Sequence, residues 1–469
     1  MNRPTRRAFL PSLAAPLIAQ PPAARPNLVL FLSDDHGYWD SPVYGSRVVR
    51  TPAMQSIASA GITFEQAYTG AAICIPSRAI LSSGMCSHRN GAIANGRPMN
   101  SGVKTLPSYL SALGYRVAHF GKSHFGPPEN FRDWEWVLSE IKGGPLQADL
   151  DTAAVDRWLN APDPSGKQRP VCMIVCSHSP HVVWDPNQGY DPARVELPPT
   201  MIDTPETRHS LCEYYTDVTK MDRQLGEVYQ SVSRSLGNNT LFLYTSDNGP
   251  QVPFGKWNLY DLGIRMPALA TWPGVIRPGL RTRAMVHFTD ILPTFLELAG
   301  GTPPSDIDGR SFAGLLRGKT GRHRTEIFAS HTADDNGHMN CYPMRCVRDG
   351  RYKYILNLHP DLAFRTHIDR GIARDGKLYW DSWTRKSATD PAAMQLVRRY
   401  HQRPAEELYD VLADPHEIHN LAGQPAHKTT LARMARQVRD WMAGMNDNGV
   451  VFGVPRPLAT EDLPYLSSR

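Results

Sequence analysis

Residues 74–78 read Cys74-Ile75-Pro76-Ser77-Arg78, and the apolar Ala79, Ile80 and Leu81 follow. Proline suits the first turn of a helix, where its missing N–H is not needed. Cys74 is therefore expected at or just before a helix N-terminus. Free backbone N–H groups and partial positive charge gather there and favour an anion. Arg78, one turn along, adds a full positive charge. A lone cysteine is more often a small buried core residue than a nucleophile. Here the other ionisable residues reverse that balance.

Asp34, Asp35, Asp247 and Asn248 offer only oxygen ligands. Such a set suits a hard cation, calcium or magnesium, rather than zinc or copper. Adjacent buried carboxylates repel each other unless a counter-charge sits between them. Either pair alone reads equally well as an ordinary turn after a strand. Lys122, His124, His181 and Lys256 suit the surroundings of an anion. Lysines neutralise charge, and a histidine delivers a proton to a leaving group. Together the set describes a metal-assisted displacement on a tetrahedral oxyanion.

The elements that must position these groups share one design. Four apolar runs, 27–32, 116–120, 171–176 and 241–244, each end in polar residues: Asp34-Asp35, Lys122 to His124, His178 to His181, and Asp247-Asn248. Near-continuous apolar strands suit a parallel sheet buried on both faces. Ligands of such sheets bind beyond the carboxyl ends of the strands. Helical patterns at 51–60, 104–113, 206–235 and 289–299 alternate with the strands. This predicts a doubly wound, mostly parallel α/β domain flanked by helices, over residues 25–340. After about residue 340 the character changes. A hairpin turning at Asp349-Gly350, a strand at 407–412 and an amphipathic helix at 427–444 predict a smaller α+β domain with an antiparallel sheet, residues 341–469.

With 469 residues, 41% hydrophobic and 20% charged, the composition is that of an ordinary globular chain. Thr5-Arg6-Arg7-Ala8-Phe9-Leu10 and the short apolar stretch after it read as a twin-arginine export signal over residues 1–24, which predicts a periplasmic or extracellular protein handled by the twin-arginine machinery. The formal charge is +6, and Arg3, Arg6 and Arg7 fall in that signal. The mature chain is nearly balanced, which argues against a nucleic-acid partner. No other run approaches the length of a membrane span. Seven cysteines leave at least one unpaired, Cys341 and Cys346 are close enough in sequence to bridge, and Cys172 and Cys176 read as core.

The chain resembles the type I sulfatases of the alkaline phosphatase superfamily over essentially everything after residue 25. The Cys-x-Pro-Ser-Arg motif at 74–78 is that family's signature. Residues 33–37, 121–124, 246–249 and 290–294, Leu408-Tyr409-Asp410, Asp414-Pro415 and Asn420-Leu421 match its other blocks in family order. The resemblance implies that Cys74 is oxidised to formylglycine by a formylglycine-generating enzyme. The hydrated aldehyde attacks sulfur with one hydroxyl, and its second hydroxyl then expels sulfate. It further implies that Asp34, Asp35, Asp247, Asn248 and residue 74 hold calcium, that Arg78, Lys122 and Lys256 bind sulfate or orient the diol, and that His124 and His181 serve proton transfer and sulfate binding. Residues 121–127, Asn258 to Tyr260, Tyr342 to Arg345 and Asp414 to Glu417 are similar to a subgroup, the N-sulfoglucosamine sulfohydrolases. That likeness implies a sulfated carbohydrate as partner, a heparan-type end group, and Arg345 as a substrate-binding residue in a tract, 331–345, that shapes the sugar pocket. Lys256 departs from the arginine of this subgroup's animal members. An O-sulfatase on another glycan or an aryl sulfate, a phosphonate monoester or phosphodiester hydrolase, and a non-catalytic glycan-binding pseudoenzyme are the competing readings.

Overall fold

The computed structural model describes residues 25–458, apart from 138, 144–146, 335–336 and 372–374. The export signal expected at 1–24 lies outside the described residues. Strands β1 (Asn27–Ser33), β2 (Ile62–Tyr68), β3 (Arg116–Gly121), β4 (Glu135–Val137), β5 (Val171–Cys176), β6 (Thr240–Ser246), β7 (Arg265–Thr271), β8 (Leu280–Thr282) and β9 (Val286–His287) make one sheet. Its order is β8-β2-β7-β6-β1-β5-β3-β4, with β9 also pairing β2. Every pairing is parallel except those of β7, which runs antiparallel between β2 and β6.

The register aligns the strand ends. Leu32 pairs with Cys176 and with Thr245, and Gly121 pairs with Cys176. The residues that follow β1, β3, β5 and β6 therefore emerge at one edge, as the sequence predicts. All six residues of β5 and all seven of β6 are buried, which is why their sequences are apolar runs rather than alternations. Helices α1 (Pro52–Ala60), α2 (Cys74–Ser83), α3 (Pro205–Leu236) and α4 (Ile291–Leu298) match the predicted helical segments.

A second, antiparallel sheet contains β10 (Glu326–His331), β11 (Met344–Asp349), β12 (Tyr352–Asn357) and β13 (Glu406–Asp410) in that order. Its hairpin turns at Asp349-Gly350, as expected. Its first strand begins at Glu326, before the expected boundary at 341. Helices α5 (Lys377–Ser387), α6 (Pro391–His401) and α7 (Lys428–Gly444) complete this half. Val347, Tyr354 and Leu408 of the sheet pack with Met434 and Val438 of α7 in a separate small core. All seven cysteines are free thiols, so Cys341 and Cys346 do not bridge. Among the described residues no helix is long and apolar enough to cross a membrane.

Candidate active site

Cys74 opens α2 after an extended Ile73. The Ile75 N–H, one of the helix's unpaired donors, is taken by Asn95 Oδ1 at 3.0 Å. Ser77 ties the helix to the neighbouring strand end, donating to the Asp247 carbonyl at 2.5 Å and meeting Thr69 Oγ1 at 2.8 Å. These links seat the Cys74 thiol 3.5 Å from Asp34 Oδ1.

Asp34, Asp35 and Asp247 present oxygens within 4.8 Å of one another, and all three are fully buried. Asp35 adopts a left-handed backbone (φ 68), and Asp247 Oδ1 accepts its N–H at 3.1 Å. That turn brings its carboxylate back towards the other two. Three cations face the carboxylates. Lys122 Nζ hydrogen-bonds Asp34 Oδ2. Lys256 Nζ donates to Asp35 Oδ2 at 2.8 Å, and Arg78 Nε to Asp247 Oδ2 at 2.9 Å. Three acidic and three basic side chains thus share a buried site. A divalent cation and a divalent anion entering together would leave its charge unchanged.

The electrostatics show the same demand. Burial pushes the Asp34 carboxyl up, but Lys122, His181, Arg78 and Lys256 outweigh it and hold it well below the usual range. At Asp35 burial wins over Lys256, with Asp34 and Asp247 adding to it, and the pKa rises to about 7. Asp247 is raised by burial and by Asp34. Asn248 donates from Nδ2 to Asp35 Oδ1 at 2.6 Å while its Oδ1 is buried without a partner. An orphaned amide oxygen beside three carboxylates fits a hard cation, and no sulfur or imidazole donor is needed to complete such a set.

The Cys74 thiol behaves against the simple helix-dipole expectation. Burial, with Asp34 and Asp247 adding to it, drives its pKa well above the usual thiol value despite Lys256 and Lys122. A protonated, buried thiol is a poor nucleophile.

The remaining groups are placed unequally. His181 donates from Nδ1 to the Val182 carbonyl at 2.5 Å and turns Nε2 towards the cluster, 3.9 Å from Asp35 Oδ2. Desolvation, then Lys122 and Lys256, hold it well below the usual imidazole value. His124 stands exposed at the rim, beside Lys122. Partial desolvation and the Lys122 and Arg78 charges lower its pKa. His178 is drawn off to Glu140 Oε1 at 2.8 Å. Arg345 does not join the cluster. It is buried, with Nε and Nη2 on Asp447, Nη1 on the His331 and Met344 carbonyls at 2.8 Å each, and Nη2 also on His88 Nε2 at 3.1 Å. Those contacts occupy all five of its N–H groups, so in this conformation it has none to offer a sugar. Sequence reasoning passed over Asn95 and Thr69. They lie outside the apolar-strand pattern, and their types alone carry no chemical signal.

Cys74, three buried carboxylates and three buried cations thus meet at the carboxyl edge of a mostly parallel sheet. The sulfatase family profile matches residues 26–301, and that of the N-sulphoglucosamine sulphohydrolase C-terminal region matches 249–364. The chain is 33% identical over 446 residues to an ulvan-active sulfatase from Formosa agariphila (strain DSM 15362), covering 92% of this chain and 83% of that protein. It is 29% identical to human N-sulphoglucosamine sulphohydrolase, covering 90% and 91%. In fold it is similar to a solved structure in complex with its substrate D-glucosamine-2-N,6-O-disulfate, with a TM-score of 0.66, 20% identity, and coverage of 91% and 99%. The chain belongs to the sulfatase family.

Proposed function

We propose that this sulfatase releases sulfate from the end sugar of a glycan fragment through a nucleophile made from Cys74, with N-sulfoglucosamine as the leading substrate. One observation supports this above the others: Cys74 lies 3.5 Å from Asp34, among three clustered carboxylates and three buried cations. Asp34, Asp35, Asp247 and Asn248 would hold the metal, and calcium is proposed for this oxygen-only set. The cation, when bound, polarises a sulfate oxygen as a Lewis acid. Formylglycine in place of Cys74 supplies, as its hydrate, an attacking hydroxyl that the protonated thiol lacks.

The chain's own residues do the rest. Lys122, Lys256 and Arg78, all buried, would neutralise the charge that develops on the sulfate oxygens. His181 donates its Nδ1 proton to the Val182 carbonyl, so the neutral ring turns an unprotonated Nε2 towards the cluster as a proton acceptor. His124, at the rim, is the proposed donor to the departing amine or alcohol; partial desolvation and the Lys122 and Arg78 charges depress its pKa, and an arriving sulfate would offset those charges and favour the protonated ring. An amine leaves poorly unless protonated, so N-sulfate cleavage depends most on that donor.

Twin-arginine export of the folded, converted enzyme is proposed from Arg6-Arg7 and the apolar stretch after them. A second substrate reading, an O-sulfated glycan, is favoured by the ulvan-active relative and by Lys256 where the N-sulfatase subgroup's animal members carry arginine. Sulfate release from N-sulfoglucosamine against N-acetylglucosamine 6-sulfate decides between them. Faster turnover of the N-sulfate is expected. Preference for the O-sulfate would overturn the N-sulfatase reading alone.

A further inference from the structure

The segment that carries Lys256 has a particular construction. Between Gln251 and Asp261 it holds six side chains with polar atoms, and five of them are bonded by residues from the C-terminal half. Gln251 Nε2 donates to Asp375 Oδ1 at 2.5 Å, and the Trp257 indole N–H to Asp334 Oδ2 at 2.6 Å. Asn258 Oδ1 accepts from Arg403 at 2.6 Å, and the Tyr260 hydroxyl meets Glu407 Oε2 at 2.7 Å. Asp261 pairs with Lys353 at 2.5 Å. The sixth, Lys256, points the other way, to Asp35.

The backbone explains why such tethers are needed. Phe254 and Trp257, close on either side of Lys256, both adopt left-handed conformations (φ 66 each) that bulky residues avoid. Strain of this kind persists only where the surroundings over-determine it. The turn is also too tight for a side chain at Gly263, whose Cβ would meet the Asn258 carbonyl oxygen at 2.2 Å. One tether reaches Lys256 itself. Asn258 Nδ2 donates to the Lys256 carbonyl at 2.9 Å while its Oδ1 is held by Arg403. Arg403 is buried, with its guanidinium over the Phe364 ring at 4.0 Å. A planar, stacked guanidinium keeps an orientation that a lysine would not.

We propose that Arg403 is a positioning residue for Lys256, acting through Asn258, so that the C-terminal half sets the place of an anion-binding lysine at the catalytic edge. The inference rests on the reading of Lys256 as a sulfate ligand.

The test is the Kd of inorganic sulfate, measured by calorimetry on the calcium-loaded enzyme, in a double-mutant cycle. Arg403→Gln and Lys256→Ala should each weaken sulfate about tenfold, and the double variant should be no more than about twofold weaker than Lys256→Ala alone. A merely structural arginine would lower Tm and weaken sulfate by the same factor in both backgrounds, which would overturn the proposal. Asn258→Asp guards against misfolding of Arg403→Gln. It keeps an oxygen for Arg403 but loses the N–H that reaches Lys256, so it should lose sulfate affinity with little change in Tm. Unchanged affinity in Asn258→Asp would also overturn the proposal. If Lys256→Ala binds sulfate normally, the anion-ligand reading of Lys256 fails and the positioning role falls with it, whereas loss in Lys256→Ala alone leaves that reading intact and removes only the positioning role.

Discussion

The carboxyl edge of the parallel sheet and the antiparallel C-terminal sheet each bury an arginine, and they use it in opposite ways. Arg345, on β11, commits all its N–H groups to Asp447, two carbonyls and His88. Arg78, on α2, holds Asp247 through Nε and reaches the Lys122 carbonyl at 3.4 Å, but its Nη2 is buried without a hydrogen bond, 4.0 Å from Asp34 Oδ2. A buried arginine with every donor occupied is a structural fixture. One with a donor left over, beside an orphaned Asn248 oxygen and clustered carboxylates, is arranged for groups that arrive later. Of these two arginines, only Arg78 has a buried donor left over.

The largest expected effect is at the binding region. Asp247→Ala removes a cation ligand and the partner of Arg78, so turnover should fall below detection in a sulfate-release assay, and elemental analysis should show the calcium lost. Stoichiometric zinc with normal activity in Asp247→Ala would remove the hard-cation reading. Arg78→Lys keeps a charge but loses the planar reach to Asp247 and Asp34. It should cost about 10²–10³ in kcat/KM, with a small change in Tm.

Arg345→Ala should show the reverse pattern. It strips the buried Asp447 of its arginine and leaves it only the Gly449 N–H and His88, which costs about 3–5 kcal/mol of stability, read as a large fall in Tm. The kcat/KM of the folded fraction should stay within about threefold of the parent. A raised KM with normal Tm would instead return Arg345 to the sugar pocket.

Two smaller, pH-dependent effects sharpen the contrast. Burial raises the Asp447 carboxyl, but Arg345 outweighs it and holds the pKa low. Its stabilisation is therefore present above the unfolded carboxylate value, about 4, and is lost as pH falls through the lower folded value. Asp447→Asn should flatten the acid limb of a Tm-against-pH curve. Asp35 has the opposite sign. Its folded pKa, about 7 in the metal-free protein, favours that state below the unfolded value, and the advantage is lost as pH rises through 7. Calcium must displace that proton, so its apparent affinity should climb by up to about tenfold per pH unit between pH 6 and 7 and then level off. Titration calorimetry at several pH values reads this directly, and a flat profile would contradict the raised Asp35.

Much of this was legible in the sequence because parallel strands announce themselves. β1, β5 and β6 are apolar runs with ionisable residues at their ends, and the register puts those ends together. β2 and β7 were not legible. β2 mixes Thr63, Glu65 and Gln66 with apolar residues, and β7 carries Pro267 and two alanines, so neither forms a clean run or a clean alternation. Arg345 poses a related problem. A motif reports which residue is present but not how many of its donors are already occupied. The tethers on the Lys256 segment come from Asp334, Asp375 and Arg403, far along the chain, and only the folded backbone brings them to it.

The central claim is that Cys74 works only after conversion, since burial and the neighbouring carboxylates hold its thiol protonated. It is tested most directly by preparing enzyme with graded conversion of residue 74. The formylglycine fraction is measured by mass spectrometry of the peptide that contains it, and sulfate release is measured on the same samples. The account predicts activity proportional to that fraction, with an intercept of zero. Full turnover by protein carrying only unmodified Cys74 would contradict it.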